Sequence, residues 1–272
     1  MPFMERGIEI KTPAQIEKMR AAGLVVGRAL ELLRTMVRAG MTTLELDQVA
    51  EDSIRSSGAT PSFKGYHGFP GSICTSVNDE VVHGIPGERV IAAGDIVSID
   101  CGAIVDGWHG DAALTVSVGP VPDEAVELMK VTEEAMWRGI AAASLGGRVT
   151  DISHAVENHV RSRGSYGILE DYVGHGIGSA MHQPPNVPNY GRPGKGPKLV
   201  EGLALAVEPM VVLGDKASRV LEDEWTVVTE DGSLSAHFEH TFTLTARGTW
   251  ILTAIDGGES RLTELGVPFG GR

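Results

Sequence analysis

Hydrophobic and β-branched residues gather in two runs around Asp106-Gly107, in the stretch Ile-Val-Ser-Ile-Asp100-Cys-Gly-Ala-Ile-Val-Asp-Gly-Trp-His-Gly-Asp111-Ala-Ala-Leu-Thr-Val. An Asp-Gly pair between two such runs is the strongest short hairpin signal. With Asp106 and Gly107 as the loop, Val105 pairs with Trp108 and Gly102 lies opposite Asp111. Side chains alternate with period two, so Asp100 shares a face with Gly102 and therefore with Asp111. Diagonal cross-strand positions lie roughly 7–8 Å apart at the backbone, and both carboxylates can reach a common point. Two unpaired anions held that close repel, and a cation between them removes the conflict. For the pair alone, turn capping and backbone hydrogen bonding account for the residues equally well.

The rest of the pattern predicts helices and further strands. Pro13 opens a helix running through Met36 that Gly40 ends, and Thr42 with Glu45 is a capping-box pattern for a second helix stopping near Gly58. Pro122 opens a third helix that ends at Gly146 and Gly147, and a fourth runs from about Thr150 to Gly164. The apolar run Leu203–Val207 predicts a buried strand closing at Glu208, where Pro209 removes a backbone donor. The segment from Ala236 to Leu244 alternates and predicts another strand, with Glu239 by default on a solvent face. From Gln183 to Pro197 the chain is rich in Pro, Gly and Asn and reads as a loop, a mobile surface connection in preference to a functional flap near His175 and His182.

These elements repeat. At an offset of 106 positions Gly40, Glu51, Arg55 and Gly58 fall on Gly146, Glu157, Arg161 and Gly164; at 108, His67-Gly68 falls on His175-Gly176 and Asp100 on Glu208. Residues 1–272 therefore read as a single domain of two halves, about 10–120 and 121–252, each with two helices, a His-Gly loop and strands carrying an acidic residue. Such halves can set their carboxylates face to face at the interface, where binding sites form.

Composition narrows the function. A chain of 272 residues, 42% hydrophobic, is long enough for a substantial core, and its net charge of -13 argues against a nucleic-acid surface. Two cysteines without CxxC spacing, no apolar N-terminal stretch and no window of membrane-spanning length predict a reducing, cytoplasmic setting. Five apolar residues before Glu208 imply burial, and a buried carboxylate needs a partner. His175 stands among glycines in Val173–Gly178, where a ligand can approach the imidazole. The remaining histidines default to the surface, although His83 follows the apolar pair Val81-Val82. Four carboxylates and one imidazole form a hard ligand set suited to manganese, iron, cobalt, zinc or nickel. Five ligands hold two ions better than one, and a two-metal site can bind a bridging hydroxide and share the charge of an attacked carbonyl. Hydrolysis is the natural chemistry.

In that order Asp100, Asp111, His175, Glu208 and Glu239 resemble the metal-ligand set of the methionine aminopeptidases. The surrounding words match as well: Tyr66-His-Gly-Phe-Pro70, Ser76-Val-Asn-Asp-Glu-Val-Val-His83-Gly-Ile-Pro86, Asp106-Gly-Trp-His-Gly-Asp111, Gly174-His-Gly-Ile-Gly178, Glu208-Pro-Met210 and Phe238-Glu-His-Thr241. The resemblance runs from about Ile10 to Leu252. Too few positions separate His175 from Glu208 for the helical insertion of the type II enzymes, so the chain is most similar to the short bacterial type I form.

The resemblance implies an α/β (α+β) pita-bread fold of pseudo-two-fold symmetry, a central antiparallel sheet flanked by helices from both halves. It implies a metalloaminopeptidase that uses two divalent ions to remove the N-terminal methionine of nascent proteins when the second residue is small. His83 would contact the scissile amide or relay a proton, His182 would stabilise the tetrahedral oxygen, and Glu208 would be ligand and general base. Tyr66, Phe69, Cys74, Met181 and Trp225 would join His83 and His182 around the methionine side chain, with Phe63 and Met181 where relatives often carry cysteine and phenylalanine. Asn78 and Ser235 match a monovalent-cation site of some members. A monomer with transient ribosome association is the expected form, and the opening Met1-Pro2 makes the chain a candidate substrate of itself. An X-Pro aminopeptidase or prolidase shares the five ligands, and a non-catalytic pita-bread binding module shares the fold. The first usually carries a large N-terminal domain and the second typically loses ligands.

Overall fold

The computed structural model describes residues 7–272, so Met1-Pro2 lies outside the described residues. Thr12 caps α1 (Pro13–Met36) with its side chain and Gln15 returns a bond to the Thr12 backbone. Thr42 and Glu45 form the same capping box at the head of α2 (Thr43–Ser56). Short strands β1 (Thr60–Pro61), β2 (Ile73–Val77) and β3 (Glu80–Val82) lead to the hairpin of β4 (Ile96–Val105) and β5 (Trp108–Ser117). Asp106 and Gly107 both take positive φ, 49° and 78°, the type I′ geometry that matches strand twist. The register is as the pattern predicts, with Val105 opposite Trp108 and Gly102 opposite Asp111.

After the hairpin come α3 (Asp123–Ala142) and α4 (Val149–Arg163). The third helix stops four residues short of Gly146, its last turn closing when the Ala143 N–H bonds to the Ile140 carbonyl. Then follow β6 (Gly167–Ile168), β7 (Gly174–Gly176), β8 (Gln183–Val187), β9 (Ala204–Val207), β10 (Met210–Val212), β11 (Ser218–Val220), β12 (Val227–Thr229), β13 (Ser235–His237), β14 (Glu239–Thr245), β15 (Gly248–Ile251) and α5 (Glu259–Glu264).

The central sheet is antiparallel and runs β1-β4-β5-β14-β9-β7-β8, with β2 added on β4 and β15 on β14. One core lies between α1, α2 and the β2-β4-β5 strands, and a second between α3, α4 and the β9-β14 strands. Two expectations change. Residues 183–187 are strand and not loop, because Pro184 and Pro185 sit on an edge strand, where missing donors cost nothing, in a bulged stretch of the β7 ladder. The rest of that segment runs over the surface, exposed from Arg192 to Gly196, but is tied to the fold: Asn189 is fully buried, and Gly191, Gly194 and Lys195 bond to Glu157, Asp151 and Thr150 of α4. The strand from Ala236 to Leu244 is broken at Phe238, so β13 pairs with β10 while β14 enters the central sheet. Among the described residues no helix is long and apolar enough to cross a membrane.

Candidate metal centre and active site

Five neighbouring strands of the central sheet carry the five candidate ligands: Asp100 and Asp111 lie within β4 and β5, His175 is the middle residue of β7, Glu239 opens β14 and Glu208 directly follows β9. Asp100 on β4 and Glu239 on β14 both lie opposite Ala113 of β5, two residues from Asp111 on the same face. The small Ala113 side chain leaves room between the flanking carboxylates. The β14-β9 ladder ends at His240 with Val207, so Glu239 and Glu208 are the next residues on each strand. Period-two alternation then puts His175 of β7 on that face too, since Gly176 pairs with Leu205.

The ligand atoms converge. Oxygens of Asp100, Asp111 and Glu239 lie within 4.8 Å of one another, as do ligand atoms of His175, Glu208 and Glu239. His175 Nε2 is 3.4 Å from Glu208 Oε1 and 4.0 Å from Asp111 Oδ2. Its Nδ1 lies 3.0 Å from the Gly176 carbonyl, which can only accept, so Nδ1 carries the proton and Nε2 offers a lone pair to the cluster.

The cluster concentrates buried carboxyl groups that raise one another. Burial pushes the Asp100 carboxyl up to about 7, against the hydrogen bond with Asp111. Burial and the charges of Glu239 and Asp100 raise Asp111 well above the carboxylate range, and burial with neighbouring carboxylates does the same to Glu208 and Glu239. Asp100 Oδ1, Asp111 Oδ1 and Glu239 Oε1 are buried with no hydrogen-bond partner among the described residues. Oxygen atoms without donors, mutually raised carboxylates and an imidazole with its lone pair turned inward fit divalent cations well.

Over this floor lies a cavity of about 110 Å³ lined by all seven predicted pocket residues, with Phe63 and Val82. Phe69 meets Trp225 edge to face with ring centres 5.1 Å apart, and His83 lies 6.2 Å from the same indole. Cys74 pairs with Asp100 across β2 and β4, and burial followed by the Asp100 charge keeps its thiol protonated and apolar in character. Met181 is 3% exposed. His182 sits with its ring 4.4 Å from that of His175, and the Tyr66 hydroxyl is 2.9 Å from His182 Nδ1. A hydroxyl donating there leaves Nε2–H as the free donor. Burial lowers His83 to about 4, with the charge of His182 adding to it, and burial also lowers His182; both are neutral at pH 7.

Asn78 and Ser235 stand apart from this cavity and against each other, the Ser235 N–H donating to the Asn78 carbonyl at 2.8 Å. Ser235 Oγ is buried without a partner among the described residues. Sequence reasoning set aside two histidines. His237 is 1% exposed, not a surface residue, with an unpartnered Nε2 3.7 Å from Glu208 Oε2. Its spacing of two from Glu239 was the available signal. His240, half-buried, bonds Thr253 at 2.8 Å. Glu239 is buried, against the solvent face expected of a lone strand glutamate, because its face of the sheet is the one that carries Asp100 and Asp111 and lies beneath the cavity wall.

Comparison with known proteins agrees with this geometry. The model of metallopeptidase family M24 matches residues 17–246. The methionine aminopeptidase of Clostridium acetobutylicum is 53% identical over 247 residues, covering 90% of this chain and 98% of that protein. The crystal structure of methionine aminopeptidase from Thermotoga maritima superposes with a TM-score of 0.89 at 45% identity, over 91% of this chain and 99% of that one. The prolidase of Pyrococcus furiosus has a TM-score of 0.72 at 23% identity and is covered over only 65% of its length, a likeness of fold alone. The chain belongs to metallopeptidase family M24, among the methionine aminopeptidases.

Proposed function

We propose that the protein removes the N-terminal methionine from nascent proteins and peptides whose second residue is small, and that Asp100, Asp111, His175, Glu208 and Glu239 hold the two divalent ions it needs. The observation that carries this reading is the meeting, in one cavity, of a five-ligand floor with an apolar wall and two neutral histidines. When bound, the ions would supply an activated water and positive charge for the oxygen of the attacked carbonyl.

The protein's own groups do the rest. Tyr66, Phe69, Cys74, Met181 and Trp225 enclose a thioether side chain, for which rings and sulfur are good partners. His83, on a backbone with φ 61° that fixes its approach, would donate to or relay a proton at the scissile amide. Nε2–H of His182 would donate to the carbonyl oxygen as it gains charge. Glu208, on the floor of the cavity, would accept a proton from the attacking water. A monovalent cation fits at Ser235 Oγ beside Asn78, and cobalt, manganese, iron, zinc and nickel all suit the main ligand set. One catalytic domain of two repeated halves, monomeric, cytoplasmic and in transient contact with the ribosome, completes the proposal.

The second residue must pass between His83 and the carboxylate floor, so a large side chain would displace the scissile carbonyl. A displacement near 1 Å costs on the order of 100-fold in rate. Purified protein should therefore release methionine from Met-Pro-X peptides at least that much faster than from Met-Glu-X. Equal rates on both would remove the steric gate.

A further inference from the structure

The segment from Gly178 to His182, between β7 and β8, carries two of the proposed active-site groups, Met181 and His182, on very little structure of its own. Inside it the Gly178 N–H donates to the Ala180 carbonyl at 3.1 Å. Gln183 Nε2 donates to Ser179 Oγ at 3.2 Å, and the other bonds that hold the segment come from far away in the chain. The His109 N–H donates to the Gly178 carbonyl at 2.9 Å. Glu9, 170 positions upstream, accepts from the Ser179 hydroxyl at 2.8 Å on Oε1 and from the Ser179 N–H at 3.0 Å on Oε2. Oε2 also accepts from the Gln183 amide at 3.0 Å, on the residue directly after His182.

Glu9 is itself held. Lys11, its side chain almost wholly buried, sets its ammonium 3.6 Å from Glu9 Oε2, donates to the Glu9 carbonyl at 3.0 Å and reaches Gln183 Oε1 at 3.4 Å. The Lys11 N–H donates to the Gly202 carbonyl, and Ile10 bridges to Leu203 just ahead of β9, the strand that leads to Glu208. Burial pushes the Glu9 carboxyl up, but the Ser179 and Gln183 bonds and the Lys11 charge outweigh it and hold the group below its ordinary value. Glycine at 178 makes room for this strap: a Cβ there would lie 2.2 Å from Glu9 Oε2 and 2.3 Å from Lys11 Cε.

We infer that Glu9 is a positioning residue for methionine removal, fixing through Ser179 and Gln183 the loop that aims His182 at the carbonyl oxygen and seats Met181 in the pocket wall. A charged acceptor suits the task, since bonds to an ionised carboxylate are shorter and about twice as strong as neutral ones. The inference rests on the role proposed for His182, and a double-mutant cycle separates the two. With metal-loaded protein and a Met-Ala-Ser peptide, Glu9→Ala and Ser179→Ala should each lower kcat by roughly 10- to 100-fold, the scale of a 1 Å misplacement. Metal content should stay unchanged, and Glu9→Gln should recover part of the loss. In a His182→Ala background Glu9→Ala should cost less than about twofold, because groups acting as one unit are non-additive. Ser179→Ala removes only a hydroxyl and keeps the test open if Glu9→Ala folds poorly. Parental kcat in both single variants, or an undiminished Glu9→Ala loss in the His182→Ala background, overturns the inference while the reading of His182 stands. Parental kcat in His182→Ala alone would remove that reading, and the inference with it.

Discussion

Asp111 concentrates the chemistry of this protein in one side chain. It is 3% exposed, its Oδ1 has no donor among the described residues, and its neighbours on two strands are carboxylates. A buried anion of this kind is tolerable only with a cation or a proton. Asp111→Asn supplies a neutral amide in the same shape, so it should abolish tight binding of the second equivalent of metal and lower activity by several orders of magnitude, read from metal content and turnover in one preparation. Near-normal turnover with unchanged metal would contradict the ligand assignment. The aspartate pair was legible in the sequence because a two-residue hairpin sets register without any tertiary contact. His237 was not, because its burial comes from β10 and from the proximity of Glu208, partners far away in sequence.

Among the elements, β7 shows how backbone spacing becomes site geometry. Its three residues, Gly174-His175-Gly176, lie between β8 and β9, and both glycines are there for close approach rather than for a left-handed turn. A Cβ at Gly174 would lie 2.3 Å from the Ala206 carbonyl and 3.1 Å from Val187. Gly174→Ala should push β7 off β9, cost about 1–3 kcal/mol of stability in a denaturant melt and weaken metal binding, since His175 moves away from Glu208. A variant with parental stability and metal affinity would show that this contact is slack. Glycines around His175 were visible in the sequence, but the strand they form was not, because three residues carry no periodicity. The prolines of β8 hid a strand for a related reason: composition reports missing donors, and only the sheet order shows that the edge position makes them harmless.

At the scale of the whole molecule, two sets of buried groups oppose each other as pH changes. Burial lowers His175 and His237 to about 3 and His83, His109 and His240 to about 4, so below about 6.5 the unfolded chain binds more protons and these residues make stability fall with acid. The four carboxylates act the other way: raised in the fold, they hold protons that the unfolded chain has already released, so stability falls as pH rises through their folded range. Above about 6.5 the histidines are neutral in both states and only the carboxylates remain, until Lys11, lowered by burial to about 8, begins to oppose them. Metal-stripped protein should therefore melt lower at pH 8 than at pH 6.5, with roughly 2–4 °C for each kcal/mol lost, and saturating manganese should remove that dependence. An unchanged melting temperature across that window without metal would mean that the carboxylates have another partner.

The architecture itself was largely legible, since Pro13 at the head of α1, the capping box at Thr42, the Asp-Gly turn and the apolar run before Glu208 are local signals that tertiary contacts reinforce. What sequence patterning could not supply was the adjacency of β14 to β5, which sets Glu239 across from Ala113. The most direct test of the whole account is release of amino acid from Met-Gly-X and X-Pro peptides by metal-stripped protein, re-supplied in turn with manganese, iron, cobalt, zinc and nickel. The account predicts no turnover without metal, and methionine release from Met-Gly-X, with X-Pro peptides left intact, once a competent ion is restored. Cleavage of X-Pro in preference to Met-Gly-X, or methionine release undiminished after stripping, would contradict it.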